Sequence, residues 1–194
     1  MTVSQDKYLI SGSSDGVIII WNLTYFGLIK TLREHSYVVT GLAVIDNESF
    51  ISVSEDKKII IWNSETLTET KSITDVNALT SVCAISDDSF VTGNIRGDLK
   101  IWSYFKEHKP IRNLHNEDKL FALVQLKNVF FASASQNGIL RVWDNNFNSK
   151  EIKAHLKAVL SLNVFPNGTL ISSSEDKSIK TWNTQQYILE KSIS

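Results

Sequence analysis

Apolar residues in this chain come in short runs bounded by polar, turn-forming residues, and nowhere recur with the three- and four-residue spacing of a helix face. Five of the runs, VIIIW, KIIIW, DLKIW, ILRVW and SIKTW, end on tryptophan. They are mostly rich in β-branched side chains and too short for helices, so they predict buried strands. A second set, YLIS, FIS, FVT, FAS and LIS, precedes them, and a third, such as LTSVCAI and LFALVQL, lies further upstream. A more polar fourth run, for example GLIKTLR or ILEKSI, follows the tryptophan. Tight-turn sequences such as SSDG, SEDK, IDNES and FPNGT join these runs.

The tryptophans stand at 21, 62, 102, 143 and 182, a pitch of 39 to 41 residues that irregular loops would not keep. Six residues before each stand Asp15, Asp56, Arg96, Asn137 and Asp176. Ten residues before each is a hydroxyl: Ser11, Ser52, Thr92, Ser133 and Ser172. Four antiparallel strands per repeat, joined by short turns, predict an all-β chain with almost no helix, built as β-propeller blades.

The order of upstream His, strand hydroxyl, turn Asp and strand Trp resembles the WD-repeat β-propeller family, over essentially the whole chain. The resemblance implies that the innermost strand, a, lines a central channel, and that the d-to-a and b-to-c loops share one top face. It also implies a hydrogen-bonded network running from indole to hydroxyl to imidazole to carboxylate, in which each buried polar group supplies what the next lacks. His35, Ser52, Asp56 and Trp62 make a complete set, as do His155, Ser172, Asp176 and Trp182. Ser11, Asp15 and Trp21 have no upstream His. In the fourth repeat Asn137 replaces the turn Asp, and either His115 or Asn116 takes the His position beside Ser133 and Trp143. In the third, with Thr92 and Trp102, Asp75 falls at the His position and Arg96 at the Asp position, which predicts a charge-reversed pair between them.

Ser, His and Asp also suggest a hydrolase, but here the set repeats beside a Trp each time, and no Gly-x-Ser-x-Gly elbow occurs. The four histidines, His35, His108, His115 and His155, lack metal-ligand spacing, so neither a metal nor a cofactor is expected. Cys83, the one cysteine, reads as a small core residue and suits a reducing compartment. Gly12 and Gly16 lack the Lys and following helix of a phosphate loop. Twenty Lys and Arg against 21 Asp and Glu leave a net charge of -1, which argues against a nucleic-acid partner. The patches at Lys57 and Lys58 and at Lys106 and Lys109 are locally balanced and read as solvated faces. No apolar run approaches the roughly 20 residues of a membrane span, and no signal peptide opens the chain, so the expected location is cytoplasmic, with the nucleus as the alternative. Three Asn-x-Ser/Thr matches, beginning at Asn22, Asn47 and Asn167, then read as chance.

One propeller domain over residues 1–194 is expected, with blades at 1–33 (partial), 34–73, 74–114, 115–154 and 155–194. The usual ring in this family has seven blades, roughly 280 residues. Three arrangements follow: a piece of a longer propeller, an open arc completed by a second chain or copy, or a five-blade ring. The expected function is a non-catalytic scaffold that binds other proteins or peptides through top-face loops. Candidate contact residues are Tyr37, Glu55, Asn77, Arg96, Lys119, Gln136, Lys157 and Glu175. The alternatives are a substrate receptor of a cullin-type ubiquitin ligase, or a structural subunit of a larger assembly. The sequences WNLT, WNSE, WSYF, WDNN and WNTQ all lack the Trp-Asp-x-Arg of such receptors.

Overall fold

A computed structural model describes residues 1–4, 7–104, 109–127 and 130–193. Lys106 and His108 lie outside the described residues. Among those described there is no helix, and twenty strands form five separate four-stranded antiparallel sheets, each from consecutive strands.

Blade 1 holds β1 (Thr2–Ser4), β2 (Tyr8–Gly12), β3 (Ile18–Asn22) and β4 (Leu28–Leu32). Its inner strand is only three residues long. Blade 2 holds β5 (Val39–Val44), β6 (Ser49–Ser54), β7 (Lys58–Asn63) and β8 (Thr68–Thr74). Blade 3 holds β9 (Leu79–Ser86), β10 (Ser89–Asn94), β11 (Asp98–Ser103) and β12 (Arg112–His115). Blade 4 holds β13 (Leu120–Gln125), β14 (Phe131–Ser135), β15 (Ile139–Trp143) and β16 (Ser149–Lys153). Blade 5 holds β17 (Val159–Val164), β18 (Leu170–Ser174), β19 (Ile179–Asn183) and β20 (Ile188–Ile193).

Local chemistry recurs with the repeat. In the b-to-c turn the side-chain oxygen six residues before Trp accepts a backbone N–H two residues on: Val17 to Asp15, Lys58 to Asp56, Ile139 to Asn137 and Ser178 to Asp176. The next residue is left-handed in all five blades: Gly16, Lys57, Gly97, Gly138 and Lys177. At Gly138 (φ 83) glycine is required twice over, because a Cβ would also lie 2.2 Å from the His155 carbonyl oxygen. Immediately after Trp, Asn22, Asn63, Asp144 and Asn183 accept backbone N–H groups of the c-to-d turn, closing it as an Asx turn.

The core lies between blades rather than inside them. Four hydrophobic clusters each join one blade to the next, and each combines one blade's β-branched and aliphatic side chains with the next blade's tryptophan. In blades 2 to 4 a phenylalanine faces that tryptophan across strands b and c, and the rings stack: Phe50 on Trp62 at 5.9 Å, Phe90 on Trp102 at 6.3 Å, Phe131 on Trp143 at 5.7 Å. None of these clusters joins blade 5 to blade 1, so the described blades form an open arc.

Candidate functional site

The loops between blades and the b-to-c turns meet on one face, because a side chain from each is tied to the same strand. In blade 2 the Trp62 indole N–H donates to Ser52 Oγ (2.8 Å), which lies 2.7 Å from His35 Nε2, while His35 Nδ1 lies 2.9 Å from Asp56 Oδ2. Both ring nitrogens of His35 are paired, Nε2 with the Ser52 hydroxyl and Nδ1 with a carboxylate that can only accept, so Nδ1–H donates to Asp56. The same Asp56 Oδ2 also accepts the Ser36 backbone N–H while Oδ1 accepts that of Lys58, so one carboxylate holds the inter-blade loop and the b-to-c turn. Burial of Asp56 is outweighed by these hydrogen bonds, and its pKa sits below the usual carboxylate value.

Blade 5 repeats the arrangement with Trp182, Ser172, His155 and Asp176 at 2.8, 2.7 and 2.9 Å. Burial lowers the His155 pKa, opposed in part by Asp176. Asp176 itself is desolvated, yet hydrogen bonds from the Ser178 hydroxyl, two backbone N–H groups and His155 hold it far below an ordinary carboxylate. The Ser52 and Ser172 hydroxyls are fully buried between indole and imidazole, beyond reach of a substrate.

The other three blades end the network differently. In blade 1, Trp21 donates to Ser11 Oγ (3.0 Å), which turns to the Ile19 carbonyl at 3.4 Å, while Asp15 caps its own turn. In blade 4, Trp143 donates to Ser133 (2.9 Å) and Ser133 to Asn116 Oδ1 (3.1 Å), so Asn116 occupies the His position. His115 is excluded from that blade's network and lies exposed, 3.0 Å from Asp98 of blade 3. An 18-residue offset from the serine, instead of 17, puts its side chain on the other side of the strand. Asn137 bonds Ser135 within its own turn.

Blade 3 departs from expectation. Trp102 donates to Thr92 Oγ1 at 2.8 Å, but Asp75 does not pair with Arg96. Its fully buried carboxylate takes Lys100 Nζ at 2.7 Å, and Arg96 is exposed. The physical reason is burial: Lys100 reaches Asp75 from a strand directly opposite Thr92, whereas Arg96 sits at a solvated turn tip. A cation at this strand position recurs as Arg141, which donates to the Asn116 carbonyl (2.7 Å), and Lys180, which donates to the Ala154 carbonyl (2.6 Å). Sequence reasoning missed these anchors. Their signal was a column two residues before Trp that reads Ile19, Ile60, Lys100, Arg141, Lys180.

Of the candidate contact residues, Tyr37, Glu55, Arg96, Gln136, Lys157 and Glu175 are exposed, and Asn77 and Lys119 are half-buried. Three more apolar side chains stand on the same loops: Val76 (76% exposed), Ile95 and Leu156 (94% exposed). Val76 and Leu156 directly follow the anchored Asp75 and His155. A depression of about 340 Å³ lined in part by Lys153, Leu156 and Lys180 opens there between blades 4 and 5. No group of titratable side chains suited to a metal ion occurs among the described residues.

Comparison with known proteins agrees with this geometry. The model of the WD domain, G-beta repeat, matches residues 2–22, 26–63 and 147–183. The chain is 29% identical over 142 residues to apoptotic protease-activating factor 1 of Rattus norvegicus, covering 71% of this chain and 11% of that protein. It is 23% identical over 192 residues to pre-mRNA-processing factor 17 of Saccharomyces cerevisiae, covering 96% of this chain and 34% of that protein. The chain spans less than half the length of the curated relatives it matches. Its fold superposes on the β-propeller domain of Myceliophteria thermophila Cps50 (Swd1) with a TM-score of 0.85 at 16% identity, covering 100% of this chain and 70% of that one.

Proposed function

Because the chain belongs to the WD-repeat family of β-propellers, we propose that it is a non-catalytic scaffold that docks peptides or protein domains on its loop face. One observation carries this reading: Tyr37, Val76 and Leu156 project into solvent one or two residues after side chains that are buried and bonded to a strand. Exposed apolar groups on a rigid frame bind at little cost in conformational entropy. Arg96 and Lys157 surround them with charge that would select partners and speed encounter. The buried serines and the absence of a nucleophile elbow support the non-catalytic part of the reading.

Relatives named for pre-mRNA processing and for association with the U3 snoRNP favour a second reading, a structural subunit of a larger particle, nuclear or cytoplasmic. The test replaces Tyr37, Val76 and Leu156 by Ala or Ser together and compares partner capture with that of a Tyr25→Ala control on the opposite rim. Loss of capture with an unchanged melting temperature is expected. Equal capture by both proteins would move the docking surface off the loop face.

A further inference from the structure

Three blades carry a cation two residues before Trp, and two of these cations are compensated by carboxylates. Lys100 takes Asp75 at 2.7 Å, and Arg141 takes Glu151 at 2.8 Å and Glu117 at 3.3 Å. Lys180 differs. Among the described residues it has no carboxylate within ion-pair distance, and its Nζ donates only to the Ala154 carbonyl at 2.6 Å. Its charge is therefore left uncompensated on the wall of the depression of about 340 Å³ between blades 4 and 5.

A second lysine, Lys153, lines the same depression from strand d of blade 4. Asn137 lines it from the b-to-c turn. Asn137 Oδ1 accepts the Ser135 hydroxyl (2.8 Å) and the Ile139 backbone N–H (3.2 Å), so the oxygen is held inside the turn and Nδ2 is left as a donor. The other blades bring a carboxylate to this turn: Asp15, Asp56 and Asp176 at the same position, and Asp98 two residues after Arg96. Blade 4 brings none. His155 also lines the depression, but both its ring nitrogens are taken, by Ser172 and by Asp176. The acids nearby in sequence are committed elsewhere, Glu151 to Arg141 and Asp176 to His155, the Ser178 hydroxyl and the Leu156 backbone N–H. The remaining wall is apolar: Ile139, Ala154 and Leu156.

Two ammonium groups and an amide donor, with no carboxylate among the lining residues, make a concave patch of one sign, and such a patch concentrates anions. Its volume is at the low end of the range of about 300–1,000 Å³ for ligand pockets, which suits one side chain better than a cofactor.

We propose that this depression is the specificity pocket of the loop face and takes a glutamate side chain of a docked peptide. The carboxylate sits between Lys153 and Lys180 and accepts from Asn137 Nδ2. The two methylenes of its stem cover Ile139 and Ala154, and an apolar residue beside the glutamate packs on Leu156. A phosphoserine, with a one-carbon stem, would leave that apolar wall uncovered. The proposal rests on the reading of the loop face as a peptide-docking surface and adds the chemistry of the residue it selects.

The probe is a rhodamine-labelled peptide with blocked ends, Gly-Ser-Leu-Glu-Leu-Ser-Gly, titrated with the full chain at low salt and read by fluorescence anisotropy. Saturable binding is expected, weakened about fivefold or more when Gln replaces Glu in the peptide. Lys153→Gln and Asn137→Asp in the protein should each weaken it by about the same factor. Asn137→Asp keeps the acceptor for the Ile139 N–H and restores the turn carboxylate of blades 1, 2 and 5, so its melting temperature should match that of the natural chain. Absence of binding, equal binding of the Glu and Gln peptides, undiminished binding by Asn137→Asp, or preference for a phosphoserine peptide of the same frame would each overturn the proposal. The loop-face reading is judged separately, by partner capture. Capture lost on replacing Tyr37, Val76 and Leu156 but intact in Asn137→Asp would keep the loop face and remove its glutamate pocket.

Discussion

Lys100 Nζ lies 2.7 Å from Asp75 Oδ1, and this ion pair stands in blade 3 where blade 2 has His35 over Ser52 and Ile60. One blade holds its loop by a chain of hydrogen bonds from indole to hydroxyl to imidazole to carboxylate, the next by a direct pair of ammonium and carboxylate. The Asp75 side chain is fully buried, so its charge depends on Lys100 for compensation.

Lys100→Ile should therefore cost about 3 kcal/mol or more, the scale of breaking a buried pair from one side. Transplanting the blade 2 pattern, Asp75→His with Arg96→Asp and Lys100→Ile, should recover most of that loss. Urea unfolding of the single and triple variants measures both, and a triple variant no more stable than the single would show that the two solutions are not interchangeable.

Ser52→Ala leaves the Trp62 indole N–H and His35 Nε2 buried without partners and should cost about 1–3 kcal/mol. Ser11→Ala should cost less, because Trp21 is only half-buried and no imidazole depends on Ser11. The difference between the two midpoints in denaturant checks the ordering.

Acid should weaken the loop anchors in two stages. His155 has its folded pKa below the unfolded value of 6.5, so the unfolded chain binds the extra proton first and stability falls as pH drops below about 6.5. Asp56 and Asp176 are depressed below 3.8, so their contribution is present above that value and is lost as pH falls through their folded pKa values. His155→Gln should remove the upper stage of a melting-temperature profile and leave the lower one.

Burial pushes the Cys83 thiol up to about 12, since a thiolate there would be desolvated between blades 3 and 4. A thiol reagent at pH 8 should leave the native chain unmodified and label it only as it unfolds, so the labelling rate in urea should follow the unfolding curve. Labelling in native buffer faster than global unfolding would show that the junction opens locally.

Much of the fold was legible because the signals are local. Alternation with Trp at a constant pitch marks strands, and Asp or Asn before a left-handed Gly or Lys marks the b-to-c turn, since each depends on neighbours a few residues away. The complete sets in blades 2 and 5 were legible for the same reason, a fixed 17-residue offset from His to Ser. Arg96 misled because its position in the repeat says nothing of whether its side chain is buried. Between His115 and Asn116 the sequence left the choice open, because one residue of offset decides which side of a strand is used, and the structure takes Asn116.

The sequence by itself determined the five four-stranded sheets, the tryptophan and hydroxyl pairs and the turns, all set by contacts within one repeat. Only the tertiary structure decided what lies between repeats: that Lys100 compensates Asp75, and that the strand-d cations Lys30 and Lys150 reach Leu67 and Tyr187 of the following blade. Those relations depend on distances across 20 to 40 residues of chain, and such distances exist only once neighbouring sheets have packed.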